Sequence, residues 1–265
     1  MTSASLFDTH THLGDEQFAS DRAETLRRAL EAGVARVVEI ADSPDDWDAA
    51  LALARAHPSQ VRCSLGVHPY YADQFNEALL ERLSKMILFP EVVAVGEIGL
   101  DYVKAQVSKE VQLVAFERLL TFCRDAAKPV VIHCRGAYED LRMVLGRTFS
   151  GPPSGRRFWG VVHCFSGEEA DALYCRDLGF ALGVDGPVTY PKNEPLRRAL
   201  ASAGLESLVL ETDCPYLPPQ SSRGKRNEPA KLPEIAAKLA EACGVSSDEL
   251  AARTTRNGLD LYGLV

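Results

Sequence analysis

Long apolar runs are missing from this 265-residue sequence. A membrane-spanning helix needs about 20 consecutive apolar residues, and no segment offers them. The opening MTSASLFDTH has neither the basic start nor the apolar stretch of a secretory leader. Cysteine occurs seven times (63, 123, 134, 164, 175, 214, 243), an odd number with no C-x-x-C pair. Reduced thiols and a cytoplasmic location are therefore expected. Positive charge is in deficit: 29 Lys and Arg face 37 Asp and Glu, a net charge of −8. That argues against a protein that coats DNA through a broad positive field. It leaves room for an enzyme that draws one phosphate into a metal site, because bound cations reverse the local sign. No G-x-G-x-x-G and no P-loop follows the first strand-like run, which weakens a nucleotide-binding fold. There is no linker, repeat or low-complexity stretch.

What is present is alternation. Apolar strand-like runs occur at 5–13, 34–42, 61–69, 92–100, 129–134, 158–166, 180–186 and 207–215. Helix-period runs lie at 20–33, 43–57, 108–127, 136–148, 168–178, 193–203, 230–243 and 246–261. Ser20 and Ser43 each precede an acidic first turn and are the expected N-caps of their helices. Continuously apolar strands alternating with helices indicate a parallel sheet covered by helices. The length matches the roughly 250 residues of a (β/α)8 (TIM) barrel, so a single barrel domain over 1–265 is expected.

The unusual polar residues fall at one end of these strands, the end where such barrels carry their chemistry. His10 and His12 close strand one, His68 strand three, Glu97 strand four, His133 strand five, His163 strand six and Asp213 strand eight. Five of the six histidines share this placement. In DTHTHL, residues i and i+2 of a strand point to one face, so His10 and His12 can grip one ion. Glu97 interrupts the apolar run VVAVGEIGL, where an unpaired carboxylate would cost several kcal/mol of hydration. Six ligand candidates exceed the three that hold one catalytic zinc. They suit two divalent ions about 3.5–4 Å apart, with Glu97 as the bridge. The mixed imidazole and carboxylate set admits Mg, Mn or Zn. Two metals and an activated water make a hydrolase, and phosphodiester and amide cleavage both fit.

The stretches FDTHTHL, GVHPY, GEIGLDY, VIHCRGA, HCFSG, LETDCPYLPP, RGKRNEP and TTRNGLDLYGL run from residue 7 to 264. In kind and order they resemble the TatD-like metal-dependent deoxyribonuclease family of the amidohydrolase-like barrel superfamily. Gly136 departs from that pattern, where an acidic residue is expected. The resemblance implies that His10, His12 and Asp213, with Glu97, hold one ion, and that His133 and His163, with Glu97 bridging, hold the other. It implies a DNA substrate, single-stranded or at 3′ ends. Some relatives are associated with removing D-amino acids from tRNA. The expected activity is 3′-5′ exonucleolytic cleavage of single-stranded DNA by a metal-activated water, with Asp213 also able to take the water's proton. The alternative is an ester or amide hydrolase such as a D-aminoacyl-tRNA deacylase. No membrane and no obligate protein partner is expected.

Further residues carry two readings each. His68 contacts the scissile phosphate or assists proton transfer, or is a structural histidine before Pro69. Arg135 binds phosphate through its fork or forms a surface ion pair. Arg223, Lys225 and Arg226 form the one compact basic cluster, a phosphate clamp or a solvated face. Asn227 and Glu228 are expected to cap a helix. Glu211, two residues before Asp213, shares its face and is expected to hold a ligand histidine. His57 suits a helix end. Cys134, Cys164 and Cys214 adjoin ligand candidates, point away from them and read as packing. Trp47 and Trp159 read as core, and Asp101 as a residue that orders the loop after strand four.

Overall fold

The computed structural model describes residues 5–264, so residues 1–4 and 265 of the expected domain lie outside the described residues. Eight strands form one parallel sheet in sequence order: β1 (Leu6–Thr11), β2 (Val34–Ala41), β3 (Val61–Leu65), β4 (Val92–Asp101), β5 (Val130–Arg135), β6 (Gly160–Val162), β7 (Phe180–Val184) and β8 (Leu208–Leu210). Nine helices are described: α1 (Arg22–Glu31), α2 (Trp47–Ala56), α3 (Glu77–Met86), α4 (Lys109–Asp125), α5 (Tyr138–Thr148), α6 (Glu169–Asp177), α7 (Glu194–Ala203), α8 (Leu232–Cys243) and α9 (Ser247–Tyr262). No helix among the described residues is long and apolar enough to cross a membrane.

The strands are apolar on both faces because both faces are covered. One side packs against the helices. The other fills the barrel, where Val38, Ile40, Val131, Val161, Ala181 and Val209 meet. The last helix plugs the end where the strands begin: Leu261 and Tyr262 of α9 join Phe7, and the Tyr262 hydroxyl donates to the Thr9 carbonyl at 2.9 Å. Trp47 is buried, with Nε1 donating to the Gly66 carbonyl at 2.8 Å. Trp159 is half-buried against Phe149.

The sheet closes without a regular ladder between β1 and β8. A single bridge, Thr11 to Cys214, joins them. The rest of the seam is individual hydrogen bonds. His12 N donates to Cys214 O at 2.8 Å, Asp213 N to His10 O at 3.0 Å and Thr9 Oγ1 to Leu210 O at 3.0 Å. The buried Asp8 carboxylate accepts from Thr212 N at 2.9 Å and from its hydroxyl at 2.6 Å. Burial pushes the Asp8 carboxyl up to about 8, against these two bonds.

Three local expectations are corrected. Ser20 and Ser43 are not N-caps: Asp21 and Asp46 hold those positions. Ser43 instead accepts from Asp45 N at 3.3 Å and shapes the turn before α2. Strand four does not end at Glu97 but runs on to Asp101, with a register irregularity against β5 between Val95 and Ile98. An irregularity of this kind re-aims a side chain locally. His57 caps the end of α2, as its position implied.

Candidate metal centre

The strands deliver their polar residues to one end of the barrel by different local means. His10 lies inside β1 and His12 one residue beyond it, with their Nε2 atoms 3.1 Å apart. His68 lies three residues past β3 and accepts from Tyr70 N at 3.2 Å through Nδ1, capping a short 3-10 helix, Pro69–Gln74. Glu97 projects from the irregularity in β4. Gly66 makes room for it: a Cβ there would collide with the Gly96 carbonyl carbon and the Glu97 amide. His163 follows β6 directly. Asp213 follows β8 by three residues, with φ +54°, a left-handed backbone uncommon outside glycine.

Two groups of ligand atoms result, and Glu97 touches both. Glu97 Oε1 is 2.6 Å from His133 Nδ1, 2.8 Å from His163 Nε2 and 3.7 Å from His68 Nε2. Its Oε2 is 3.3 Å from His10 Nε2. Asp213 Oδ1 is 3.6 Å from His10 Nε2 and 3.3 Å from His12 Nε2. Glu97 is 2% exposed and His10 is fully buried. Burial alone would raise the Glu97 carboxyl, but His163, His10 and His133 hold it well below the usual carboxylate range. Burial pushes the His68 imidazole down to about 3. Burial opposes protonation of His12 too, yet Asp42 and Asp213 push it up to about 10.

This donor set fits a metal. Two imidazole Nε2 atoms 3.1 Å apart and two carboxylate oxygens converge at His10, His12, Glu97 and Asp213, and Nε2 protons donated to the carboxylates would crowd each other across that gap. A cation satisfies all four. His10 Nδ1 is buried without a hydrogen-bond partner, and the nearest carboxylate behind His163 Nδ1 is that of Glu211. Glu211, fully buried, places Oε1 3.4 Å from His163 Nδ1 and accepts from Cys164 N at 2.5 Å.

Other site residues had weaker signals. Asp101 orders its loop, accepting from Val103 N at 2.9 Å and Lys104 N at 2.8 Å, and its other oxygen is 3.3 Å from His133 Nε2. Asp42, just past β2, faces His12 Nδ1 at 3.6 Å, and its place at a strand end was the available clue. Glu39 interrupts VVEIA as Glu97 interrupts its own run. It accepts from Leu13 N at 2.6 Å and Gly14 N at 2.7 Å, fixing the loop after His12.

A cavity of about 570 Å³ opens above the centre, walled by His68, Tyr70, Lys104, Arg135, Tyr216 and Leu217. Arg135 borders it, 3.8 Å from Asp101. Arg223, Lys225 and Arg226 do not. The Arg226 guanidinium is fastened to the Asp21 carboxylate by two bonds of 2.7 Å and lies over the Phe18 ring, so it cannot serve as a phosphate clamp there. Arg223 lies over Tyr190. Asn227 and Glu228 make no side-chain cap. Asn227 Nδ2 donates to the Thr212 and Tyr216 carbonyls, both at 2.8 Å, and so ties down the loop that carries Asp213. Glu228 pairs with Arg28 at 2.6 Å. Cys134 and Cys214 are packing residues, but the Cys164 thiol donates to Asp185 Oδ2 at 3.1 Å.

Known proteins resemble the chain along its whole length. The profile of the family described as TatD related DNase matches residues 7–263. The Erwinia amylovora protein named 3′-5′ ssDNA/RNA exonuclease TatD is 34% identical over 264 residues, covering 98% of this chain and 100% of its own. The Bacillus subtilis metal-dependent hydrolase YabD is 31% identical over 257 residues, covering 97% and 98%. The crystal structure of YjjV, a TatD homologue from Escherichia coli, superposes with a TM-score of 0.88 at 31% identity, covering 98% of both chains. Matched in family, fold and length, this chain belongs to the TatD related DNase family and is a metal-dependent hydrolase.

Proposed function

We propose that the chain trims single-stranded DNA from its 3′ end, using two divalent ions (Mg, Mn or Zn) held at the barrel mouth. The observation that carries this reading is Glu97, buried with one oxygen toward each ligand group. Relatives 33–34% identical that are named 3′-5′ ssDNA/RNA exonuclease support the substrate class. His10, His12, Asp213 and Glu97 would hold one ion, and His133 and His163 with Glu97 the other. When bound, such ions supply Lewis acidity and the positive charge that a phosphoryl transition state requires.

The chain's own groups do the rest. Asp213 orients the attacking water and takes its proton on a carboxylate oxygen. His68 Nδ1 accepts from Tyr70 N, which leaves Nε2–H as a hydrogen-bond donor toward a phosphate oxygen. Arg135 and Lys104 border the cavity and bind non-bridging oxygens. Tyr70 and Tyr216, 40% and 49% exposed, offer faces on which a base can stack. A cavity of about 570 Å³ suits one nucleotide at a strand end rather than a duplex.

The test is a gel assay with 5′-labelled and 3′-labelled single-stranded DNA and RNA in Mg²⁺, Mn²⁺ or Zn²⁺. Stepwise shortening of the 5′-labelled DNA, stopped by EDTA, is expected. Glu97→Gln should lower the rate by at least about 100-fold, the scale for losing a charge-stabilising group at a reacting centre. Intact DNA after incubation with metal-loaded wild-type chain would overturn the proposal.

A further inference from the structure

The tip of β7 carries a buried carboxylate that the metal centre does not use. Asp185 is 2% exposed, and among the described residues the one hydrogen-bond partner of its side chain is the Cys164 thiol, 3.1 Å from Oδ2. A thiol is a weak donor, so this carboxylate has given up its water for little in return. Ligand atoms of Cys164, Asp185 and Asp213 all lie within 4.8 Å of one another. Among the described residues, Cys164 is the one cysteine of seven placed in such a group.

The spacing suits a coordinated ion. Zinc bonds of roughly 2.3 Å to sulfur and 2.0–2.2 Å to oxygen place two such ligands about 3.6 Å apart in tetrahedral geometry, between the 3.1 Å of the thiol–carboxylate pair and the 4.8 Å within which all three ligand atoms lie. Two carboxylates and one thiolate are the three protein ligands of an open zinc site. Cys164 and Asp185 also line a separate cavity of about 520 Å³, with Ser166, Lys192 and Asn193. An ion can therefore approach from solvent on the β6–β7 side without crossing the main centre.

We propose that Cys164, Asp185 and Asp213 form a third cation site beside the paired centre, selective for a thiophilic divalent ion such as Zn²⁺. Binding there releases the thiol proton to solvent and shares Asp213 with the neighbouring ion. Hard Mg²⁺ gains nothing from the sulfur and stays in the main centre. The site rests on the reading of Asp213 as a metal ligand but not on any substrate.

Cobalt titration of the metal-free chain tests it. Co²⁺ should give a thiolate charge-transfer band in the near ultraviolet, and elemental analysis after Zn²⁺ loading should find three ions per chain. Cys164→Ser and, separately, Asp185→Ala should abolish the band and leave two ions. The second variant keeps every cysteine, so it excludes a band from another thiol. Absence of the band in the wild-type chain, or its survival in Asp185→Ala, would overturn the third site. Failure of the paired-centre reading would look different: fewer than two ions in both variants, with wild-type DNA left uncut.

Discussion

Glu97 stands where strand β4 meets both ligand groups of the proposed centre, and its neighbours set its charge. Glu97→Gln keeps the shape and removes the charge between the two ligand groups, so at least one ion should be lost on dialysis, read by elemental analysis. Glu211 acts at one remove, holding His163 from behind. Glu211→Gln should weaken metal binding or activity by about 10–100-fold, the usual cost of losing an outer-sphere partner, measured by calorimetric titration. At this scale the sequence was informative wherever chemistry and position coincided. Histidines at strand ends and a glutamate in an apolar run have few structural explanations. Asp8 and Glu39 carried the same signal, but their partners are backbone groups distant in sequence. They bind the backbone of Thr212, Leu13 and Gly14, and such contacts across the barrel follow only from the folded chain. Arg226 was misleading for the opposite reason: its partner, Asp21, is 205 residues away.

Elements were legible in type more than in extent. The apolar runs gave all eight strands, yet several end earlier than their polarity pattern suggested. Past Thr11 and Leu210 the chain remains extended, but its hydrogen bonds go to loops across the seam. Helix α3 left little trace because it buries only Leu83 and Met86. The loop after β8 depends on Asn227, and two predictions belong here. Asn227→Ala leaves two carbonyls without their donor, at a cost of about 1–3 kcal/mol. A chemical denaturation curve should show that loss, with activity falling as Asp213 loosens. Asp21 joins α1 to the same loop through Arg226 and Arg28, whose hydrogen bonds hold its carboxyl below the usual range. A depressed carboxyl stabilises the fold above its unfolded value near 3.8 and loses that contribution as pH falls below it. Asp21→Asn should therefore be less stable than wild type at neutral pH, and the gap should narrow as pH drops below about 4.

For the whole molecule, ligand binding and folding are linked. An ion at 100 times its Kd stabilises the folded state by about 2.7 kcal/mol, so EDTA should lower Tm by roughly 5–11 °C at 2–4 °C per kcal/mol. The net charge of −8 and the two cationic side chains at the cavity point to capture through few phosphates. The Glu97→Gln chain should then bind fluorescent single-stranded DNA with a log–log salt slope no steeper than about −2, at about −0.7 per phosphate. The seam between β1 and β8 has a consequence in time. His10 and His12 leave the ribosome early, and Asp213 follows 203 residues later, roughly 10–40 s at 5–20 residues per second. One half of the proposed centre exists only after the last strand has docked on the first. A chain still being translated thus lacks part of the proposed ligand set, and the order of synthesis delays the proposed centre until the barrel closes.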